Sequence, residues 1–440
     1  MYSTICTFIK LSYLFNNILL NCISLFLIDI TYRLLYFRPC YERIDYIKSV
    51  CRILERYNIL YVKLFQSIAI DKLYLTSVEN NFLIKYTDNV PYNRSDIDWI
   101  TINALIENYN IKLLDTNPIN SGIVACVFDA EYNCEKVVIK ILKNNIDKKL
   151  DNFFNEVELL ANIAEYIPYI KNFKLRDLFS KNKSLLQSQL NFTNEVNNLK
   201  RYKKNLENFN EYRIPYVYSD ITDKYNNIIV MENISGYTYS DIQKMDPEIK
   251  DKFGELALKL GFISILLTSS VNCDLHSGNL FYYIDENEVG DGNKYRLGVI
   301  DFGICYFPNA EDQIKYFNFF NKFLITHNYS NLIDDSICQF LEPKETINTM
   351  PQKRKEELEK LLIYGIVEYA EKTLLVKYFN YINKILDKYN LTLSENFSKI
   401  VLSIQISANI AKTLCKDVHT SEKKLFTEIA NLFNILNIEE

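Results

Sequence analysis

The sequence predicts an α+β chain of two lobes, a strand-bearing part followed by a mostly helical one, with a helical extension ahead of both. Three observations predict it. Three strand-like runs follow one another from Ile111. Two short loops built on Asp, Asn and Gly, Asp274 to Asn279 and Asp301 to Gly303, are separated by strand-like text. From Pro247 to Thr268, and again beyond Gly303, apolar residues recur at helical spacing. The expected division is residues 1–37 (apolar segment), 38–110 (helical extension), 111–235 (strand-bearing lobe with a helical insert) and 236–440 (helical lobe).

Composition sets the class. With 440 residues, 48% hydrophobic and 24% charged, the chain is long enough for a sizeable core. The net charge of −5, without a basic block, speaks against nucleic acid as a partner. Ten scattered cysteines with no CxxC pair, and only three histidines, argue against zinc and for a reducing, intracellular compartment. Glycine is scarce, and eight of the ten lie between Gly236 and Gly303.

Between Lys10 and Asp29 no residue is charged, and the text LSYLFNNILLNCISLFLI is mostly apolar. It falls just short of the roughly 20 residues that span a bilayer, and three asparagines interrupt it. Three readings compete: a membrane anchor or interfacial helix through residues 11–28, a helix buried against the protein body, and an uncleaved signal-like segment. From Arg38 to Gln66 the spacing of Ile44, Ile47, Val50, Leu54 and Leu60 predicts an amphipathic helix or helix pair. Residues 67–110 read as further helix and loop, with a boundary at Asn89-Val90-Pro91.

The strand-like runs are IKLLD from Ile111, IVACVFDAEY from Ile123 and KVVIKIL from Lys136. The last two meet at Asn133 and Cys134, which predicts an antiparallel hairpin. IPYVY from Ile214 and NIIVMENISG from Asn227 read as two more strands. Pro247 to Thr268 is a helix by the spacing of Ile249, Phe253, Leu256, Leu260 and Ile263, and Pro351 marks the first turn of another.

Chemistry concentrates in the two loops. Asp274 stands five residues before Asn279, and Asp-Phe-Gly follows at Asp301, Phe302 and Gly303. In kinase-type phosphoryl transfer one Asp orients the attacking hydroxyl while an Asn and a second Asp hold Mg²⁺. Mg²⁺ takes a few hard oxygen ligands and keeps water for the rest, so one amide and one carboxylate suit it. Either motif alone is an ordinary turn. Together, at the ends of strand-like text from Leu280 and from Tyr295, they form one end of a hairpin.

Lys140, on a strand of Val137, Val138, Ile139 and Ile141, then has a use for its ammonium: an ATP phosphate backed by a carboxylate. An edge-strand lysine reaching to water is the plain alternative. The partner stays open among Glu156, Glu158 and Glu195. Pro118 to Gly122 stands where a phosphate-covering loop belongs, with Gly122 its only glycine. Val127 and Val138 are the candidate walls of a nucleotide site, and Met231, Glu232 and Asn233 its hinge.

These residues resemble the UbiB (ADCK) family of atypical kinases, which modifies the protein-kinase fold. The resemblance carries motifs over roughly residues 40–305. Lys63-Leu64-Phe65-Gln66 matches the family's Lys-x-Gly-Gln, with Phe65 for Gly. PINSGIVACVFDA from Pro118 fits the Ala-rich loop and second strand, and Lys140 is the strand lysine, with Val138 where a small Ala is usual. Gln189 to Glu195 fits the Glu-x-Asp region, both acids turned to amides at Gln189 and Asn191 and the helix Glu kept at Glu195, which favours Glu195 over Glu156. The catalytic loop keeps Asp274, His276, Gly278 and Asn279, with Asn272 for the first His and Ser277 for Pro.

The resemblance implies a two-lobed protein-kinase-like fold that binds ATP and Mg²⁺. Lys140 and Glu195 would position phosphates, Asp274 would orient the nucleophile, Asn279 and Asp301 would bind metal, and His276 would contact phosphate. It also implies a regulatory extension, Lys63 and Gln66 facing Gln189 and Asn191, whose ion pairing the amides remove. The alternative is a catalytically weak pseudokinase, an ATP-binding scaffold in a lipid or quinone pathway.

Overall fold

The structure is a computed structural model and describes residues 2–63, 76, 78–79, 82–83, 90–164, 183, 186–285, 294–322, 337–370 and 375–438. It divides into two compact units: Met1–Thr193 with Val217–Asn233, and Asn194–Tyr216 with Ile234–Glu440.

The first unit opens with a long apolar helix, α1 (Tyr2–Tyr36), and an amphipathic one, α2 (Arg43–Tyr57). Of the run expected from Arg38 to Gln66, residues 64–66 lie outside the described residues; the rest holds α2, a break at extended Asn58, a 3-10 turn over Ile59–Tyr61 and helical Val62 and Lys63. The Asn58 side chain makes that break, accepting the Leu60 N–H at 3.1 Å while its amide donates to the Lys149 carbonyl at 2.8 Å. Helix α3 (Trp99–Tyr109) starts on Asp98, whose carboxylate accepts the Thr101 N–H at 3.2 Å.

Next come β1 (Lys112–Leu113), β2 (Asn120–Ser121), β3 (Ala125–Tyr132), β4 (Glu135–Leu142) and helix α4 (Ile146–Ala164). Helix α5 (Phe192–Asn205), apart from its first two residues, and β5 (Tyr212–Arg213) belong to the second unit, after which β6 (Ile228–Glu232) returns to the first. The sheet is antiparallel in the order β1-β3-β4-β6, with β2 on β3. Asn133 and Cys134 both take positive φ, 51° and 65°, the turn whose twist matches a two-residue hairpin.

Strand alternation decides which side chains face the core. Cys126, Phe128, Ala130, Val137, Ile139 and Ile141 point to one side, where Ile102 and Leu105 of α3 cover them. Val127, Val138, Lys140 and Met231 therefore share the opposite face. Ile214–Tyr218 is not the strand its composition suggests; it makes one isolated bridge, Val217 to Met231. Pro215 lacks the N–H that a ladder needs.

The second unit is built around α6 (Pro247–Leu266), whose first half is amphipathic and whose last turns, Leu260 to Leu266, are buried on every side. It is followed by β7 (Val271–Asn272), β8 (Leu280–Ile284), β9 (Tyr295–Val299), β10 (Cys305–Tyr306) and α7 (Ala310–Asn321). β8 and β9 form the expected antiparallel pair, β5 adds in parallel to β9, and β7 pairs with β10. Then come β11 (Leu341–Glu342), α8 (Gln352–Gly365), α9 (Leu375–Lys388), β12 (Thr392–Leu393), α10 (Glu395–Leu414) and α11 (Val418–Ile438). Pro351 sits at the N-cap of α8, one position ahead of the first turn. Helix α10 lies close on α6 because Gly261 has no side chain: a Cβ there would meet Ser407 Cβ at 2.9 Å.

Candidate active site

In the second unit two loops are joined side by side. β7 and β10 pair Asn272 with Cys305, which brings the residues after β7 beside those after β9. Asn272, almost wholly buried, then bonds to both loops with one side chain. Its Nδ2 donates to the Asp301 carbonyl at 2.7 Å and its Oδ1 accepts the Asp274 N–H at 2.9 Å. The Ile304 carbonyl accepts from the Cys273 N–H at 2.9 Å, closing the pair.

The five-residue spacing from Asp274 to Asn279 also closes on itself. Asn279 Nδ2 donates to the Asp274 carbonyl at 2.9 Å, and the Asn279 carbonyl accepts the Ile300 N–H at 3.2 Å. With its nitrogen so committed, Asn279 has its amide oxygen to offer a cation. Asp301 Oδ1 accepts the Gly303 N–H at 2.9 Å, a small Asx turn that fixes the carboxylate. His276 is exposed, and its Nδ1 accepts the Gly278 N–H at 3.2 Å, so the neutral ring carries its proton on Nε2.

Helix α5 presses one face on this region. Asn198 Nδ2 donates to the Phe302 carbonyl at 3.0 Å, and the Tyr202 ring lies 5.1 Å from that of Phe302. One turn earlier, buried Glu195 brings Oε2 to 3.9 Å from the point where a Gly303 Cβ would stand, and Asp301 Oδ1 lies 3.3 Å from the same point. A side chain at 303 would therefore intrude between two carboxylates. The second unit thus places Glu195 and Asp301 near one point and joins the loops that carry Asp274, Asn279 and Asp301 through their backbones. By chemistry, one amide and one carboxylate are oxygen donors of the kind that Mg²⁺ takes, with water completing its shell. Among the described residues no group of three or more His, Cys, Asp or Glu side chains is placed to hold a metal.

The first unit holds the other candidates on its sheet. Val127 lies opposite Lys140 and Val138 opposite Met231, all on the face away from the α3 core. The Lys140 ammonium stands 5.6 Å from the ring centroid of Phe192, the residue that opens α5. Gly122 closes a tight turn, its N–H donating to the Ala125 carbonyl at 2.9 Å. Asn233 caps the sheet edge, its N–H on the Lys136 carbonyl at 3.1 Å and its Nδ2 on Asp129 at 2.8 Å; Glu232 ends β6. Lys63 is half-buried just after the 3-10 turn, Gln189 and Asn191 lie in the turn before α5, and Gln66 lies outside the described residues.

Glu156, the rival partner for Lys140, is buried and engaged. Its Oε1 accepts from Tyr57 at 2.8 Å and its Oε2 from Tyr61 at 2.9 Å. Sequence reading missed these tyrosines, the role of Asn272 and that of Asn198. For Asn198 a signal existed: residues 195, 198 and 202 share a face at helical spacing. For Tyr57 and Tyr61 none did, since their partner lies nearly a hundred positions away.

The family model of the ABC1 atypical kinase-like domain matches residues 106–336. Among curated proteins, the "Probable protein kinase UbiB" of Photorhabdus laumondii is 24% identical over 200 residues, covering 43% of this chain and 35% of the relative. That of Actinobacillus pleuropneumoniae serotype 5b is 26% identical over 211 residues, covering 45% and 37%. The match spans little more than a third of the length of these relatives. Among solved structures, Rv3197 of Mycobacterium tuberculosis in complex with erythromycin is similar at 14% identity and TM-score 0.46, covering 87% of this chain and 96% of the other.

Proposed function

The chain belongs to the family of ABC1 atypical kinase-like proteins, and on that premise we propose that it binds Mg-ATP and transfers the γ-phosphoryl group to an acceptor hydroxyl or to water. Lys140, paired with Glu195, holds the α and β phosphates; Asp274 orients the nucleophile and takes its proton as the acceptor oxygen bonds to phosphorus and the bridging oxygen leaves on ADP. Asn279 and Asp301 supply the metal's protein ligands. Held by those two residues, the metal would supply charge neutralisation at the phosphate oxygens. Met231, Glu232 and Asn233 form the adenine hinge, and His276 offers Nε2–H to phosphate.

The observation that carries this reading is the single amide of Asn272, which locks the Asp274 and Asp301 loops into one hydrogen-bonded unit. Such preorganisation is what phosphoryl transfer asks of a protein. The choice of Glu195 is supported by the saturation of Glu156 and by Lys140 lying over Phe192, the residue that opens the helix carrying Glu195. The exposed apolar helix α1 supports a membrane-associated site of action.

The test is Mg-dependent ATP turnover by the purified full chain, beside Asp301→Ala, with thermal-shift titration of ATP with and without Mg²⁺. Turnover lost in the variant supports the assignment, and turnover unchanged removes it. ATP binding without turnover in the parent chain favours the scaffold reading, toward which Val138 and the amides at 189 and 191 point.

A further inference from the structure

Helix α1 divides lengthwise into three sectors. One lies on the protein: Leu14 is buried, with Leu11 and Ile18 against Leu60, Tyr61 and Phe153. Further along the same seam Ser49 donates to Asn21 Oδ1 at 2.5 Å, and Asp29 accepts the Cys40 and Tyr41 N–H groups at 2.7 and 3.1 Å. A second sector carries polar residues at seven-residue intervals, Lys10, Asn17, Ser24 and Thr31, with exposed Tyr13, Ile28 and Leu35 between them. The third is apolar and outward: Phe8, Phe15, Leu19, Phe26, Ile30 and Leu34, between 37% and 74% exposed.

The Asp29 bonds turn the chain back on itself, so α2 runs along α1, and Ile53, Arg56 and Tyr57 of α2 line a groove with Leu14, Asn17 and Leu20. Helix α2 carries Arg43, Asp45, Lys48, Arg52, Glu55 and Arg56. A bilayer-crossing α1 would draw those charges into hydrocarbon or give up the whole seam. At its 35 residues α1 is also about 52 Å long, well beyond the roughly 30 Å of a hydrocarbon core.

We propose that α1 lies in the plane of an anionic lipid surface, its outer apolar face sunk between acyl chains and its inner seam kept on α2 and α4. This rests on the membrane-association reading given above. Charge selects lipid over a second copy of the chain. Asp29 is sealed against Arg33 and two backbone amides, and residues 2–57 together carry seven Lys or Arg against four Asp or Glu, so the segment is net cationic. Two such faces would repel, whereas anionic headgroups attract them.

The experiment uses full-length protein and sealed vesicles of phosphatidylcholine, with or without phosphatidylserine. Flotation is expected to show binding to the anionic vesicles about tenfold above the neutral ones and weakened by salt. Phe15→Glu with Phe26→Glu should remove it. A membrane-impermeant maleimide added outside, followed by peptide mapping, should label both Cys6 and Cys40, which are exposed near either end of α1. Binding with only one of the two labelled means a crossing helix and overturns the in-plane arrangement while leaving membrane association standing. Absence of binding overturns both, and self-association abolished by the two substitutions would assign the face to a second copy instead.

Discussion

The hydroxyl of Tyr61 donates to Oε2 of Glu156 at 2.9 Å, engaging that carboxylate with the extension. With Tyr57 on Oε1, the buried carboxylate has a phenol on each oxygen, both delivered by the extension ahead of the sheet. Burial first, and then this carboxylate, pushes both hydroxyls well above the usual phenol range, so they remain donors at any physiological pH. Helix α4 is thus tied to the extension through the residue that an ordinary kinase reading would give to the strand lysine.

Glu156 and Glu195 should therefore separate cleanly under substitution. Glu156→Gln is expected to cost about 1–3 kcal/mol, read as a lower Tm, with ATP turnover within about threefold of the parent. Glu195→Gln is expected to lower kcat/KM for ATP by about a hundredfold at nearly unchanged Tm. The opposite pattern would return Lys140 to Glu156.

Asn272→Ala deletes a donor and an acceptor that join the two loops. A loss of about 2–4 kcal/mol in urea unfolding is expected, together with loss of turnover, because the carbonyl of Asp301 and the N–H of Asp274 are left without that partner. Asn272→His restores one donor and one acceptor and should recover most of the activity. Equal damage by both substitutions would show that the amide's exact shape, and not its bonding, is what matters.

Gly261→Val should lower stability by about 1–3 kcal/mol, seen as a drop in Tm, since α10 must move to admit the side chain beside Ser407. Pairing it with Ser407→Gly should recover part of the loss. No recovery would place the strain elsewhere than at this crossing.

Cys273, between Asn272 and Asp274, is held as a neutral thiol, pushed up to about 12 by burial. At about pH 8 its thiolate is scarce, so iodoacetamide should alkylate exposed Cys134 readily and reach Cys273 only as the protein unfolds. Peptide mapping over time gives both rates. Labelling of Cys273 as fast as Cys134 would mean that the paired loops open freely.

What could be read from the sequence is what neighbours in the chain decide. Strand alternation, the positive-φ turn at Asn133 and Cys134 and the helix from Pro247 depend on contacts within a few residues, and the pairing of β8 with β9 joins neighbouring runs, so the local pattern records them. The mixed α+β class followed from those elements, and the kinase-like family from the resemblance of the motifs around Lys63, Lys140, Glu195, Asp274, Asn279 and Asp301. Ile214–Tyr218 was misread because composition favoured a strand while one proline denied the ladder its hydrogen bond.

What only tertiary structure decided is which partner each polar side chain meets. Glu156, Glu158 and Glu195 look alike in the sequence, and a carboxylate's role depends on groups brought to it from ninety or more positions away. Asn272 likewise reads as a departure from the family pattern until its amide is found spanning two loops. The helical character of α1 lay in its composition, but its three sectors emerged only when α2 folded back along it. Packing selects among chemically equivalent residues by distance and burial, and neither quantity is carried by residue type.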